Sequence, residues 1–175
     1  MTGRRLPDDW YDQPLPDNVV LGERSWLYST FAFRHYRSRR PVGLRVGRDS
    51  GMYDGTFFDL GPEGEVTVGD YCTLVGVIVC TNGRVEIDDY ALVAHEVVLA
   101  DSFAAAPGGI AGAAGADRPV IRVGRNAWIA AGAVLLAGAD IGEGAIVGAA
   151  AVVDFAVPPG ALVAGNPARV ISRPA

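Results

Sequence analysis

From Val123 to the end of the chain an aliphatic residue returns at every sixth position: Val123, Ile129, Leu135, Ile141, Val147 and Val153. A small residue follows four places after each of the first five, at Ala127, Ala133, Ala139, Ala145 and Ala151. A helix repeats every 3.6 residues and a flat strand every two, so neither produces a period of six. A chain that turns a corner every six residues does, and this pattern predicts a parallel β-helix. Each short strand directs its aliphatic residue inward, and the small residue fills the inside of the corner, where little volume remains. Three strands close a triangular coil of about eighteen residues, with coils stacked about 4.8 Å apart.

The coils can be traced backwards. An aliphatic residue followed by Gly or Asp occurs at Leu21-Gly22, Val46-Gly47, Val68-Gly69, Ile87-Asp88, Val123-Gly124 and Ile141-Gly142. These starts lie 25, 22, 19, 36 and 18 residues apart. The last interval is one bare coil. The earlier ones are coils with small insertions, except the 36, which is a coil plus a Gly/Ala-rich loop from about residue 101 to 119. Residues 1–20 read as an irregular Pro- and Asp-rich segment, residues 21–171 as the β-helix, and 172–175 as a tail. About six to seven coils are expected.

Stacking the coils yields columns. One face carries Val46, Val68, Ile87, Val123 and Ile141. The second carries Met52, Leu74, Val93, Ile129, Val147 and Val163, and the third Phe58, Cys80, Leu99, Leu135 and Val153. Two residues past each member of the second face lies an outward corner: Asp54, Gly76, His95, Ala131, Ala149, Gly165.

Residues 121–153 (IRVGRNAWIAAGAVLLAGADIGEGAIVGAAAVV) and 157–171 (VPPGALVAGNPARVI) resemble the left-handed parallel β-helix acyltransferases, the hexapeptide-repeat family that includes galactoside and xenobiotic acetyltransferases. The Ala164-Gly165-Asn166-Pro167-Ala168-Arg169 turn is a specific family ending. The left hand comes from the resemblance, because crossovers between parallel strands are ordinarily right-handed. The resemblance implies a homotrimer with sites in clefts between subunits, and a protruding arm at the position of the 101–119 loop. It also implies a groove in which the pantetheine arm of coenzyme A lies along the small residues of the corner column. Ala131, Ala149 and Gly165 match that groove, and Trp128 stands where the family often places Trp beside the pantetheine. Trp128 as an intersubunit aromatic is the competing reading.

Composition narrows the chemistry. The 175 residues suit one domain, and half of them are hydrophobic. All 15 basic residues are Arg, which removes Lys Schiff-base and Lys-base catalysis. With the Ala and Gly excess, this composition points to a high-GC bacterial source. A net charge of −5 argues against nucleic acid as partner. No apolar run reaches transmembrane length and no signal peptide is visible, so a cytoplasmic protein without membrane contact is expected. Cys72 and Cys80 both fall on core-facing positions, which predicts two buried thiols. Two histidines, His35 and His95, cannot supply the three ligands of a γ-type carbonic anhydrase, and no metal is expected.

His95 is the candidate base. It stands in the corner column one coil beyond Ala131, so a thioester carried by pantetheine in the groove would arrive near its imidazole. The alternative is an exposed or interface histidine without a catalytic role. In many family members the catalytic histidine lies at the root of the arm. Here that stretch is Leu99-Ala100-Asp101-Ser102-Phe103, with Asp101 matching and Ser102 and Phe103 in place of the histidine region. Asp101 is a candidate carboxylate base, or orients His95 of a neighbouring subunit, or caps a turn. Many members carry a polar-basic pair near the coenzyme phosphates after the last repeat, where this chain has Asp154-Phe155. Arg169 and Arg173 are the candidate phosphate contacts. A carrier-protein thioester would use the same groove without the nucleotide. The run Arg34-His35-Tyr36-Arg37-Ser38-Arg39-Arg40 is either an anion site for substrate or carrier, or a solvated or ion-paired loop.

The leading reading is therefore an acyltransferase that moves an acyl group from coenzyme A or an acyl carrier protein to a hydroxyl or amine of a small metabolite. The alternatives are a β-helix enzyme turned to another reaction (lyase, hydrolase or isomerase), and a non-catalytic trimeric scaffold.

Overall fold

The computed structural model of the protein describes residues 4–101 and 120–172. Three sheets run its length, with seven, eight and five strands, and every pairing between coils is parallel. In the first sheet Leu21, Val46, Val68, Ile87, Val123, Ile141 and Val157 share one register row. In the second the row is Leu27, Met52, Leu74, Val93, Ile129, Val147 and Val163. In the third it is Phe58, Val79, Leu99, Leu135 and Val153. All of these side chains except Leu21 are buried. This is the parallel β-helix that the six-residue period predicts, with five complete coils and a partial coil at each end.

The corner alanines Ala127, Ala133, Ala139, Ala145 and Ala151 are all at or below 1% exposure. The glycine that follows five of the six coil starts has a steric cause. A side chain at Gly142 would begin 2.4 Å from the backbone nitrogen of Pro159 on the next coil, well inside van der Waals contact.

One core position differs from expectation. The third-face residue of the coil that starts at Val68 is Val79, not Cys80. The step from the second to the third face takes five residues there, Leu74 to Val79, where the next coil uses six, Val93 to Leu99. The shortened corner advances the register by one. Cys80 therefore points to the outer side of the sheet, partly exposed, with its Sγ 4.0 Å from Asp59 Oδ2. Cys72 is buried as expected, in the corner row with Ser50, Ala91, Ala127 and Ala145. Burial pushes its thiol up to about 11.

Both ends are finished by non-coil structure. In the first partial coil a 3-10 helix, Thr30–Phe33, takes the place of a third-face strand. Ser29 caps it, its side chain accepting from the Phe31 N–H. Phe33 stacks on Phe58 with ring centroids 5.7 Å apart and so closes the end of the core. The N-terminal segment lies against this helix, and Leu15 is buried in the same cluster. At the other end the chain reverses after a cis Asn166–Pro167 bond, and Arg169–Ser172 pairs antiparallel with Leu162–Ala164. Regular structure begins at Val19 and reaches Ser172, slightly beyond the expected bounds at both ends. The expected loop at 101–119 lies, beyond Asp101, outside the described residues. No helix among the described residues is long and apolar enough to cross a membrane.

The outer surfaces of the three sheets differ. The first is charged, with Arg122 3.1 Å from Glu86 and 3.7 Å from Asp140. The second exposes Trp26, Leu92 and Trp128, and the third exposes Ile78 beside the partly buried Val98, Val134 and Val152. Single exposed apolar residues are ordinary, but rows of them along two faces mark surfaces that need cover.

A candidate active-site groove along one corner

The corner between the second and third sheets carries the column read from the sequence. Its backbone forms a ladder. The His95 carbonyl accepts the Gly132 N–H at 2.9 Å, and the Ala131 carbonyl accepts the Ala150 N–H at 3.0 Å. The Gly76 carbonyl accepts the Glu96 N–H at 3.1 Å. His95, Ala131, Ala149 and Gly165 are exposed at successive levels of this edge. The residue that turns the chain has a positive φ at each level: Gly55, Glu96, Gly132 and Ala150. At the shortened corner Gly76 itself takes this role, with φ +59. One glycine thus does the work of the pair His95-Glu96 on the next coil.

The consequence is a notch. A Cβ placed on Gly76 would lie 3.4 Å from the Asp54 backbone oxygen and 4.0 Å from the His95 Cα. The backbones of Asp54 and His95 therefore border a position that has neither a side chain nor a full-length turn. The column continues past Asp54 and Gly55 into a cavity of about 210 Å³ lined by Trp10, Tyr28, Phe31, Tyr53 and Asp54 among others. The sequence offered no sign of this cavity, because Trp10 and Phe31 reach it from the irregular N-terminal segment and the 3-10 helix.

Towards the C-terminal end the column is bare. Ala131 and Ala149 present only methyl groups, and neither backbone N–H has a hydrogen-bond partner among the described residues. Trp128 stands on the outer face of the second sheet between Leu92 and Ile146, 48% exposed and three residues before Ala131. Arg169 is exposed and pairs in register with Ala164, next to Gly165 at the end of the column. Arg173 lies outside the described residues.

Two acidic residues fall elsewhere. Asp101 sits beyond Val98–Ala100, at the far end of the strand that His95 precedes, so the chain does not join the two at one corner. Its carboxylate accepts from the Asn82 N–H and the Gly83 N–H, both at 3.1 Å, and from the Thr81 hydroxyl. That is a turn cap. Asp154 likewise follows a third-sheet strand and stands at the corner with Gly138.

The arginine-rich stretch is largely consumed within the chain. Arg37 pairs with Asp59 at 3.3 Å, and Arg40 with Glu65 at 3.4 Å and Glu63 at 3.5 Å. Arg34 lies 5.9 Å from the Phe31 ring centroid.

Fold and corner together define a β-helix of six-residue repeats with a column of small side chains exposed along one edge. Residues 121–154 match the family model for the bacterial transferase hexapeptide (six repeats). No curated protein matches the chain. Among solved structures, it is similar to an N-acyltransferase from Bacillus cereus in complex with dTDP and coenzyme A. The TM-score is 0.64 at 19% identity, over 87% of this chain and 82% of that one. A hexapeptide-repeat acetyltransferase from Vibrio cholerae, complexed with acetyl coenzyme A, has a TM-score of 0.60 at 22% identity, over 81% and 74%. A galactoside acetyltransferase in complex with coenzyme A has a TM-score of 0.57 at 23% identity, over 87% of this chain and 64% of that one. At these identities the likeness establishes the fold.

Proposed function

We propose that the protein is an acyltransferase that moves an acyl group from a coenzyme A or acyl-carrier thioester to a hydroxyl or amine of a small metabolite. The observation that carries this reading is the corner column itself. Ala131, Ala149 and Gly165 leave the backbone open to a thin ligand, and His95 stands at the next level of the same edge. A pantetheine in this groove brings its thioester to the imidazole. The bound coenzyme A in structures of the same fold supports that use of the groove.

In this reading His95 takes the proton from the acceptor hydroxyl or amine, which attacks the thioester carbonyl carbon. The unpartnered N–H groups of the corner stabilise the oxyanion. Collapse breaks the C–S bond, and the proton held by His95 passes to the leaving thiolate. Trp128 flanks the pantetheine, and Arg169 offers the coenzyme phosphates their positive charge. Asp101 acts through the turn it caps rather than on the substrate.

The apolar outer rows of the second and third sheets, with Trp26, Trp128, Leu92 and Ile78 exposed, support a homotrimer with the groove in the cleft between subunits. A cytoplasmic bacterial enzyme is the accompanying expectation. Isothermal calorimetry with acetyl coenzyme A tests the function directly. Saturable binding that is lost in Ala149→Trp supports it, and absence of binding to both coenzyme A and an acyl carrier overturns it. Light scattering that finds a monomer at micromolar concentration would remove the shared cleft.

A further inference from the structure

The cavity beyond Asp54 has a chemistry of its own. Its lining includes Trp10, Tyr28, Phe31, Tyr53 and Phe57, with Asp54 as the one carboxylate among the described residues. The aromatic cluster is ordered by ring contacts: Trp10 to Phe31 at 5.4 Å, Phe31 to Phe57 at 6.0 Å, and Tyr53 to Trp26 at 4.5 Å. Trp10 is nevertheless 66% exposed and Tyr28 49%, so their rings retain free faces. Asp54 is exposed and makes no ion pair or side-chain hydrogen bond among the described residues, although most of its acidic neighbours along the corners are paired.

Trp10 is also held in place. Asp9 accepts from the Ser29 hydroxyl at 2.7 Å, the Thr30 N–H at 2.8 Å and the Thr30 hydroxyl, which ties the irregular segment to the 3-10 helix. A chain end pinned by a carboxylate so that an indole covers a cavity is a pre-organised wall rather than a loose terminus.

We infer that this cavity is the acceptor site and that the acceptor is a ring-bearing primary amine, its flat ring among Trp10, Tyr28, Phe31 and Tyr53 and its amine at Asp54. Aromatic walls favour flat rings and cations, and a single unpaired carboxylate at one edge orients an ammonium group. The notch at Gly76 links this cavity to the chemistry, because the backbones of Asp54 and His95 both border the same empty Cβ position, at 3.4 and 4.0 Å. The role as acceptor rests on the acyl-transfer reading. The ammonium first gives one proton to solvent. The freed nitrogen lone pair then forms the new C–N bond while the thioester C–S bond breaks, and a second nitrogen proton leaves through His95 to the thiolate. The products are an amide and a free thiol.

The test uses 2-phenylethylamine as the probe, with 2-phenylethanol and n-butylamine as the analogues that lack the amine or the ring. Binding is read from Trp10 fluorescence in the full chain carrying Trp26→Phe and Trp128→Phe, and acetyl coenzyme A binding is read separately by calorimetry. Phenylethylamine should bind at least about tenfold more tightly than either analogue. Asp54→Asn should remove the advantage over phenylethanol, and Phe31→Ala the advantage over butylamine. Gly76→Asn, a residue that tolerates positive φ, should leave coenzyme A binding intact and cut acetyl transfer to the probe by at least about tenfold. Equal binding of all three probes, or unchanged selectivity in Asp54→Asn, overturns the site. Selective probe binding in a protein that binds neither acetyl coenzyme A nor an acyl carrier would leave the amine site standing and refute the acyl-transfer reading. Circular dichroism of each variant separates loss of the site from loss of the fold.

Discussion

The backbone carbonyl of His95 is hydrogen-bonded to the N–H of Gly132 at 2.9 Å, so the imidazole rises from a corner that the next coil holds fixed. Its side chain contributes nothing to that bond and is exposed. His95→Ala should therefore leave the melting temperature nearly unchanged. If His95 is the base, turnover should fall by about two to four orders of magnitude, the usual effect of losing a positioned base. His95→Asn should behave alike while keeping the corner polar. Steady-state acetyl transfer or slow thioester hydrolysis measures the effect. Full activity in His95→Ala would refute the assignment.

Ala149 offers a complementary test, because it is exposed and its Cβ supports no core contact. Ala149→Trp should fill the groove at the level next to Ala131 without disturbing the buried row of Ala145, Val147 and Ala151. Calorimetry should show acetyl coenzyme A binding weakened by about a hundredfold or more, with a melting temperature within a few degrees of the parent. Undiminished binding would place the pantetheine elsewhere.

The β-helix was legible in the sequence because its period is a property of the core alone. Each coil start from Leu21 to Ile141 pairs in the register that the spacing implies. Cys80 was misplaced for a local reason. A corner shortened by one residue leaves no trace in hydrophobicity, since Val77, Val79 and Cys80 all read as acceptable core residues. The same shortening creates the notch at Gly76, so the error and the most distinctive part of the corner column have one cause. The aromatic cavity was invisible for a different reason. Its walls come from segments without periodicity, brought together by the Asp9 contacts and the capped 3-10 helix.

Asp101 should behave as a structural residue. It satisfies two backbone N–H groups of the Asn82–Gly83 turn and the Thr81 hydroxyl. Asp101→Ala leaves the Asn82 N–H and the Thr81 hydroxyl without this acceptor, while the Gly83 N–H keeps Thr81 Oγ1 at 2.9 Å, and should destabilise the fold by about 1–3 kcal/mol, the cost of stranding partly buried polar groups. Chemical denaturation gives that value. The turnover of the remaining folded enzyme should stay within about threefold of the parent. A collapse in turnover without a change in stability would return Asp101 to the active site.

The two cysteines should differ in reactivity. Burial pushes the Cys72 thiol up to about 11, so at pH 8 only about one molecule in a thousand carries the reactive thiolate. It is also 1% exposed. Iodoacetamide at pH 8 should leave Cys72 unmodified in the native protein and alkylate it fully in guanidinium chloride, as read by peptide mass spectrometry. Native-state labelling of Cys72 would contradict its place inside the corner.

Asp9 links acid stability to the cavity wall. Its partial burial disfavours the charged form, but the hydrogen bonds from Thr30, Ser29 and the Tyr11 N–H outweigh that cost and hold the carboxyl below its ordinary 3.8. A carboxyl whose pKa is lower in the folded state contributes stability that is fully present above the unfolded value. That contribution is lost as the pH falls from about 3.8 through the lowered folded value. The contacts at stake tie residues 9–11 to Ser29 and Thr30, so their loss should be felt first at Trp10. In the variant with Trp10 as sole tryptophan, fluorescence should be flat from pH 7 down to about pH 4 and then shift toward the solvent-exposed spectrum, before the far-ultraviolet signal of the coils changes. Asp9→Asn cannot ionise, so it should show the loosened spectrum already at pH 7 and no acid transition of its own. An Asp9→Asn protein with the parent spectrum and the parent acid transition would show that Asp9 does not hold Trp10 over the cavity.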